Sequence, residues 1–485
     1  MAGLDPAIHE KRHVDPRVKP GDDDLGLPPP NVQLLQSRAF SQSPRRRAVF
    51  LGYAAGMRSP PLVPSLISRR LPFFYGWVVL GCLCFVGFAR QGPAVATLSI
   101  FVEPLLREFG WSRTALSGAV SLGGVLAALV APWIGPVLDR QGSRLLLCAA
   151  VLINGVALML LALTPSLAVF YLVFCLARMI WAAPFDLGLY GALNNWFVRR
   201  RGFASSVGTL AQQIGLVAMP LIAQLAIVRH GWRAGWLAIG AATLLVGFVP
   251  AWLLLVRRPE DLGLVPDGAP GRADGEAAAA ASAVGAPEPA FSRRQALGNA
   301  SFWLLLLYTA LVYPVQAGVS LHQAPYLIER GIDPTIAATI VSTFSLMSAV
   351  ATIVCGLLPR TLPIRYPLAA IGAILALSVV MMLGVTTAPQ GFLAAGLFGF
   401  AIGGVLTLLP VAWADYFGRT HYGSIRSIAL SAQVLAQAAG PLFSGVMRDL
   451  SGDYRGALRC FAALAALSVF AALLARQPIP QQARR

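Results

Sequence analysis

Apolar residues recur along the chain in stretches of about 20, the length an α-helix needs to cross a bilayer at 1.5 Å per residue. They fall at 75–100, 114–137, 144–164, 167–193, 203–228 and 233–256, then, after a polar break, at 301–326, 335–358, 366–387, 390–414, 424–447 and 455–475. The pattern predicts twelve membrane-spanning helices arranged six plus six. Only the short turn 139–143 separates the second from the third.

The two sets of six share one design. Pro104, Glu108 and Gly110 recur 221 positions later as Pro325, Glu329 and Gly331; Gln212 recurs as Gln433, Pro220 as Pro441 and Gly231 as Gly452. Trp196-Phe197 and Tyr416-Phe417 match one residue short of that offset, and Gly202 and Gly423 restore it. Paired apolar repeats point to a transporter whose substrate binds where the halves meet. The expected organisation is a disordered N-terminal extension (1–70), a six-helix bundle (71–256), a linker (257–300), a second six-helix bundle (301–475) and a short tail (476–485).

Composition agrees with a chain dissolved in lipid. Hydrophobic residues make up 56% and charged residues 12%, with mean hydropathy +0.67, more apolar surface than a soluble core hides. The net charge of +17 comes from short arginine runs between apolar stretches, so it marks topology and not a nucleic-acid face. One set of loops carries Arg69-Arg70, Arg140, Arg144, Arg199 to Arg201, Arg257-Arg258, Arg293-Arg294, Arg360, Arg365, Arg419 and Arg426, while the opposite set is poorer in arginine and mixed with acids. Both termini and the linker are therefore expected in the cytoplasm, and the protein in the inner membrane. The Ala/Gly/Pro-rich linker reads as a flexible tether, with a short surface helix within 291–300. The segment MAGLDPAIHEKRHVDPRVKPGDDD (1–24) resembles the translation of an intergenic repeat element, which makes Met57 a candidate true start. The six cysteines have no metal-ligand spacing and read as packing residues.

The turn after the second span reads Gly135-Pro-Val-Leu-Asp139-Arg140-Gln-Gly142-Ser-Arg144. An acid at a helix C-terminus opposes the dipole and needs a cation or another helix's N-terminus beside it. Here the chain resembles the major facilitator superfamily, whose loop signature G-x-x-x-D-R-x-G-x-R it matches at every defined position. The segments FGWSRTALSGAVSL (109–122), NWFVRRRG (195–202), RRPEDLGLVPDG (257–268) and DYFGRTHYGSIRSI (415–428) are similar to the bacterial branch around oxalate/formate antiporters and monocarboxylate-transporter-like proteins. The resemblance implies a fold of twelve helices in two pseudo-symmetric bundles. It also implies a conformational latch of Gly135, Asp139, Arg140, Gly142 and Arg144, with Asp139 meeting the start of span eleven. The second-half counterpart, Gly356 to Arg360, lacks the acid, and the glycine-rich antiporter signature of span five is absent.

An ion at mid-bilayer is costly unless it faces a cavity or a partner, so intramembrane charges are candidate site residues. Arg90 lies fifteen residues into span one and has Leu311 at its repeat position; it can clamp a carboxylate or snorkel outward. Arg178 matches the arginine of the family's fourth-span motif, with a packing or a coupling role. Asp186, eight residues further along a continuous helix, is a candidate proton-coupling carboxylate or a partner that neutralises an arginine. His322 can carry a proton or sit satisfied at the interface. Tyr308, Tyr313 and Gln316 can offer neutral hydrogen bonds to a substrate, and Gln212 and Gln433 lie at matching depths in spans five and eleven.

Zinc clusters, phosphate loops, redox CxxC pairs and nucleophile elbows are absent from the sequence, so neither an enzyme nor an ATP-driven pump is expected, nor any cofactor or metal. The expectation is a monomeric secondary transporter of a small organic anion, a monocarboxylate, driven by protons. Spans eight and eleven lack a mid-membrane arginine and lysine respectively, which disfavours a dicarboxylate. Efflux of an amphipathic compound and a transporter-like sensor are the alternatives.

Overall fold

The computed structural model describes residues 62–268, 289–358 and 362–478. The extension up to residue 61, residues 269–288 of the linker, residues 359–361 and the last seven residues lie outside the described residues. Residues 62–70, expected to be without regular structure, form helix α1 (Leu62–Arg70), where Ile67 packs on the main core and Arg69 and Arg70 suit the negative end of the helix dipole.

Twelve spans follow. Span one is α2 (Gly76–Ala89) plus α3 (Val95–Phe109), span two is α4 (Arg113–Gln141), span three α5 (Ser143–Leu161), and span four α6 (Leu167–Ala182) plus α7 (Pro184–Trp196). Helix α8 (Arg201–Ala242) holds span five and begins span six, which continues through a π-turn at Thr243–Phe248 into α9 (Val249–Leu254). After the surface helix α10 (Arg293–Leu297) come α11 (Ala300–Glu329), α12 (Pro334–Gly356), α13 (Arg365–Leu383), α14 (Ala388–Phe417), α15 (Tyr422–Ser451) and α16 (Arg455–Leu474), spans seven to twelve. Caps set several of these starts: Ser112 accepts from Ala115 N, Asp333 accepts from Thr335 N and Ile336 N, and Ser292 with Gln295 forms a capping box.

Among the described residues nine helices are long and apolar enough to cross a membrane, the one at 201–254 being two spans in succession. Spans one and eleven fall short for different reasons. Span one is interrupted, so neither piece is long enough, while α15 carries Arg426, Gln433 and Gln437 along a face turned toward protein. Both exceptions contribute to the site below.

The repeat landmarks have a conformational cause. Gly110 and Gly331 end spans one and seven with φ of 66° and 83°, and Gly231 and Gly452 end spans five and eleven with φ of 82° and 78°. Only glycine enters this left-handed region without strain, so both halves keep it at the same turns. The repeated glutamates are also paired, Glu108 with Arg233 at 2.6 Å and Glu329 with Arg448 at 3.0 Å. Trp196 Nε1 donates to Val256 O, and the Tyr416 hydroxyl donates to Ala475 O, so each half ties the end of its fourth span to the end of its sixth.

The segment 257–268 is a strap across the arginine-rich end. Asp267, at φ 63°, accepts from three successive backbone N–H groups of Val198, Arg199 and Arg200 at 2.9, 2.6 and 3.1 Å, just before α8. Glu260 pairs with Arg419 of the second half at 2.7 Å, and Arg419 also donates to Asn195 O. Asp267→Ala removes three acceptor contacts and leaves a left-handed residue with no side-chain bond, at an expected cost of about 1–3 kcal/mol. The melting temperature of the detergent-purified variant should fall by several degrees, with Asp267→Asn intermediate; an unchanged value in the alanine variant would show that the strap holds nothing.

Candidate binding site at the helix breaks

Two of the spans expected to be continuous are broken, and the breaks set the charges of the site. Helix α2 stops at Ala89 because Gly92-Pro93 follows, a pair that cannot carry the helical hydrogen-bond ladder onward. The freed Gln91 carbonyl accepts from Thr97 Oγ1 at 3.0 Å, and the Gln91 side chain accepts from Trp181 Nε1 at 3.1 Å. In span four Pro184 starts a new helix, so Asp186 stands in the first turn of α7 rather than eight residues down one continuous helix from Arg178. Arg90 caps a C-terminus and Asp186 sits at an N-terminus, each charge at the helix end whose dipole favours it.

These two charges meet a third from the second half. Arg90 donates from Nε to Trp181 O at 2.9 Å and from Nη1 to Gln212 Oε1 at 2.6 Å, and the same Nη1 lies 3.7 Å from Asp186 Oδ2. Asp186 Oδ1 lies 3.7 Å from Arg426 Nη2, which donates to Gln433 Oε1 at 2.6 Å. Exposure is 6% for Arg90, 7% for Asp186 and 1% for Arg426. Arg90 does not snorkel. Gln212 continues the network to Tyr190 at 3.3 Å, and the Tyr190 hydroxyl bonds Thr209 Oγ1 at 2.9 Å. The repeated glutamines, Gln212 and Gln433, thus each hold one buried guanidinium.

Asp186 is held by charge and not by hydrogen bonds. At about 4 Å and an effective dielectric near 20, one such contact is worth about 4 kcal/mol of attraction, which offsets burial only in part. Hydrogen-bond capacity is left over around it: Asp186 Oδ1, Arg426 Nε and Nη1 and Arg178 Nε are all buried without a well-formed hydrogen bond. Buried polar groups in folded proteins are nearly always bonded, so this cluster of open ones marks the charged centre as the candidate site.

Arg426 belongs to this site and not to the loop arginines that set topology. Span eleven begins at Tyr422, which puts Arg426 one turn inside it. Its repeat position holds Ser205, so the asymmetry that marks Arg90 in the sequence also marks Arg426. The sequence also passed over Trp181, whose ring lies 4.8 Å from the Arg90 guanidinium and 3.9 Å from that of Arg178.

The remaining candidates divide. Arg178 lies beside the centre, donating to Pro93 O at 3.4 Å, and Tyr313 is buried within electrostatic reach of Arg426, Asp186 and Arg90. Tyr308 donates instead to Leu368 O inside the second half, and Gln316 accepts from Gln437 Nε2. His322 bonds Tyr454 OH and Pro441 O, each at 3.2 Å, again within the second half.

The halves are joined at the arginine-rich end. Asp139 accepts from Gly423 N and Ser424 N, both at 2.8 Å, at the start of α15, and Gly135 packs directly on Gly423 and Ser427, leaving no room for a β-carbon. Gly142, at φ 88°, ends α4 against the Arg257 side chain; Arg144 donates to Trp252 O at 2.9 Å, and Arg140 is exposed in a groove with Trp133 and Arg293. Arg201 pairs with Asp415 at 3.0 Å, and Ser205 Oγ donates to Thr407 O at 3.1 Å. Asp139→Asn removes the charge and turns one acceptor into a donor facing an N–H, so this end should open more often while insertion is unaffected. Cysteines introduced at this end should become more accessible to a membrane-impermeant thiol reagent; unchanged accessibility and transport would remove Asp139 from any latch.

A model of the Major Facilitator Superfamily matches residues 79–441. The chain is 29% identical over 226 residues to the membrane sensor protein UhpC of Salmonella typhimurium, covering 46% of this chain and 50% of that one, so it spans about half the length of that relative. It is 25% identical over 398 residues to monocarboxylate transporter 11 of Homo sapiens, 78% of each chain. Its fold matches the crystal structure of the major facilitator superfamily transporter FucP in the outward conformation, with a TM-score of 0.62 and 12% identity over 82% of this chain and 99% of that one.

Proposed function

Because this chain belongs to the Major Facilitator Superfamily, in its monocarboxylate-transporter-like branch, we propose that it carries a small organic anion, a monocarboxylate, across the inner membrane together with a proton. The observation that supports this reading most is the buried Arg90 guanidinium at the break in span one, fixed on two sides by Trp181 O and Gln212 and opposed on a third only by a carboxylate 3.7 Å away. A planar guanidinium so oriented offers its remaining N–H groups to a carboxylate. The likeness to a monocarboxylate transporter agrees with that chemistry.

Asp186 supplies the coupling in this reading. Ionised, it is the anion of the empty site; protonated, it leaves the neighbouring guanidiniums short of negative charge, and a substrate carboxylate restores the balance. Proton and anion then cross together without net charge, the form in which a buried site crosses a bilayer at least cost. The two bundles, 71–256 and 301–475, rock about this centre in a monomer whose termini and linker face the cytoplasm. The closed contacts of Asp139, Arg201 and Glu260 then seal the cytoplasmic side. A second reading, a sensor that binds the same anion without moving it, rests on the likeness to UhpC.

Proteoliposome uptake across a carboxylate panel, with and without an inward proton gradient, tests the proposal. Gradient-stimulated carboxylate flux is expected, and binding without flux would favour the sensor. Arg90→Lys keeps the cation but loses the fork, so carboxylate affinity should drop about tenfold, and Arg90→Gln should drop it further. Equal affinity in the wild type and both folded variants would remove Arg90 from the site.

A further inference from the structure

We infer that Arg426 is the second half's clamp for the substrate carboxylate, so that one anion is gripped by Arg90 and Arg426 from the two halves at once, in the position Asp186 holds in the empty site. The inference rests on the anion-transport reading above and adds a residue from the second half to that site.

Three observations carry it. Arg426 is 1% exposed, yet two of its three side-chain nitrogens, Nε and Nη1, lack a well-formed hydrogen bond, with the Tyr422 hydroxyl the polar group beside them. A guanidinium has five donors and stays charged, so a buried one with open donors is a cation prepared for an acceptor that arrives later. Neutralising Asp186 does not account for it, because Arg90 already stands 3.7 Å from the same carboxylate and a single negative charge balances only one of the two. Finally, each of the two repeated glutamines holds one of the arginines, Gln212 from a neighbouring helix and Gln433 from Arg426's own. Gln212 holds a terminal nitrogen of Arg90, and Gln433, its repeat partner, holds one of Arg426, both at 2.6 Å. The guanidiniums come from unrelated positions, spans one and eleven, and converge on equivalent glutamines.

A carboxylate with one oxygen toward each arginine would therefore bond the first half to the second. Binding itself would draw span eleven toward spans one and four, a link between occupancy and movement that a clamp confined to one half cannot make.

The test uses the full-length purified protein and the tightest-binding member of a panel of acetate, lactate, benzoate and succinate, together with its neutral amide. Arg426→Gln should weaken the acid by about tenfold or more while leaving the amide within about twofold, and Arg426→Lys should give a smaller loss of the same kind. The double variant Asp186→Asn/Arg426→Gln should stay weak for the acid. If Asp186→Asn instead restores acid affinity, Arg426 serves only to neutralise Asp186 and the inference is overturned. If Arg426→Gln does not fold, Arg426→Lys decides, since it keeps the charge: wild-type affinity for the acid in that variant overturns the clamp. Failure at Arg426 with loss at Arg90 leaves the transport reading standing, whereas no acid bound by the wild type removes both.

Discussion

The Asp186 carboxylate, lying 3.7 Å from guanidiniums of both halves, is the contact on which the arrangement of this protein depends. An ion buried within a span is costly unless it faces a partner, and Arg90, Asp186 and Arg426 are buried here facing one another. The chain reaches this arrangement by breaking two of its helices. Gly92-Pro93 frees a C-terminus for Arg90, and Pro184 frees an N-terminus for Asp186, so the local backbone and the charges favour one another. Neither break would be stable in lipid alone; Thr97, Trp181 and Gln212 supply the bonds the backbone and Arg90 would otherwise lack.

The contacts between halves at the arginine-rich end follow the same logic of charge meeting a helix terminus or an opposite charge. Asp139 bonds the first free N–H groups of α15, the helix that carries Arg426 one turn further in. One helix thus carries both the contact at that end and the arginine beside Asp186. The strap at 257–268 adds Asp267 and Glu260 to the same surface, so release of this end must disturb several modest contacts and not one strong one.

Much of this was legible in the sequence, for identifiable reasons. Twelve spans could be read because lipid demands about 20 apolar residues per crossing, and the repeat could be read because Gly110, Gly231, Gly331 and Gly452 occupy a conformation that other residues enter only with strain. Arg90 and Asp186 stood out as charges inside apolar runs. The helix breaks did not, because proline is a poor signal here: Pro104, Pro132, Pro220, Pro314, Pro325, Pro410 and Pro441 all lie inside helices that continue. What distinguishes Pro93 and Pro184 is the tertiary setting that takes up the freed backbone groups. Arg426, grouped by sequence with the loop arginines, lies one turn inside α15, and four residues of helix are all that separate a loop arginine from a buried one. His322, also inside an apolar run, bonds Tyr454 OH and Pro441 O within the second half, away from the Arg90–Asp186–Arg426 centre.

We propose that Asp186 carries the proton that accompanies the anion. The most direct test is the substrate-induced proton movement measured in proteoliposomes of wild type and Asp186→Asn, alongside carboxylate exchange with no gradient imposed. Wild type should take up protons with the carboxylate, and the variant should exchange carboxylate while neither moving protons nor responding to a pH gradient. Proton uptake that persists in a folded, exchanging Asp186→Asn protein would contradict the account.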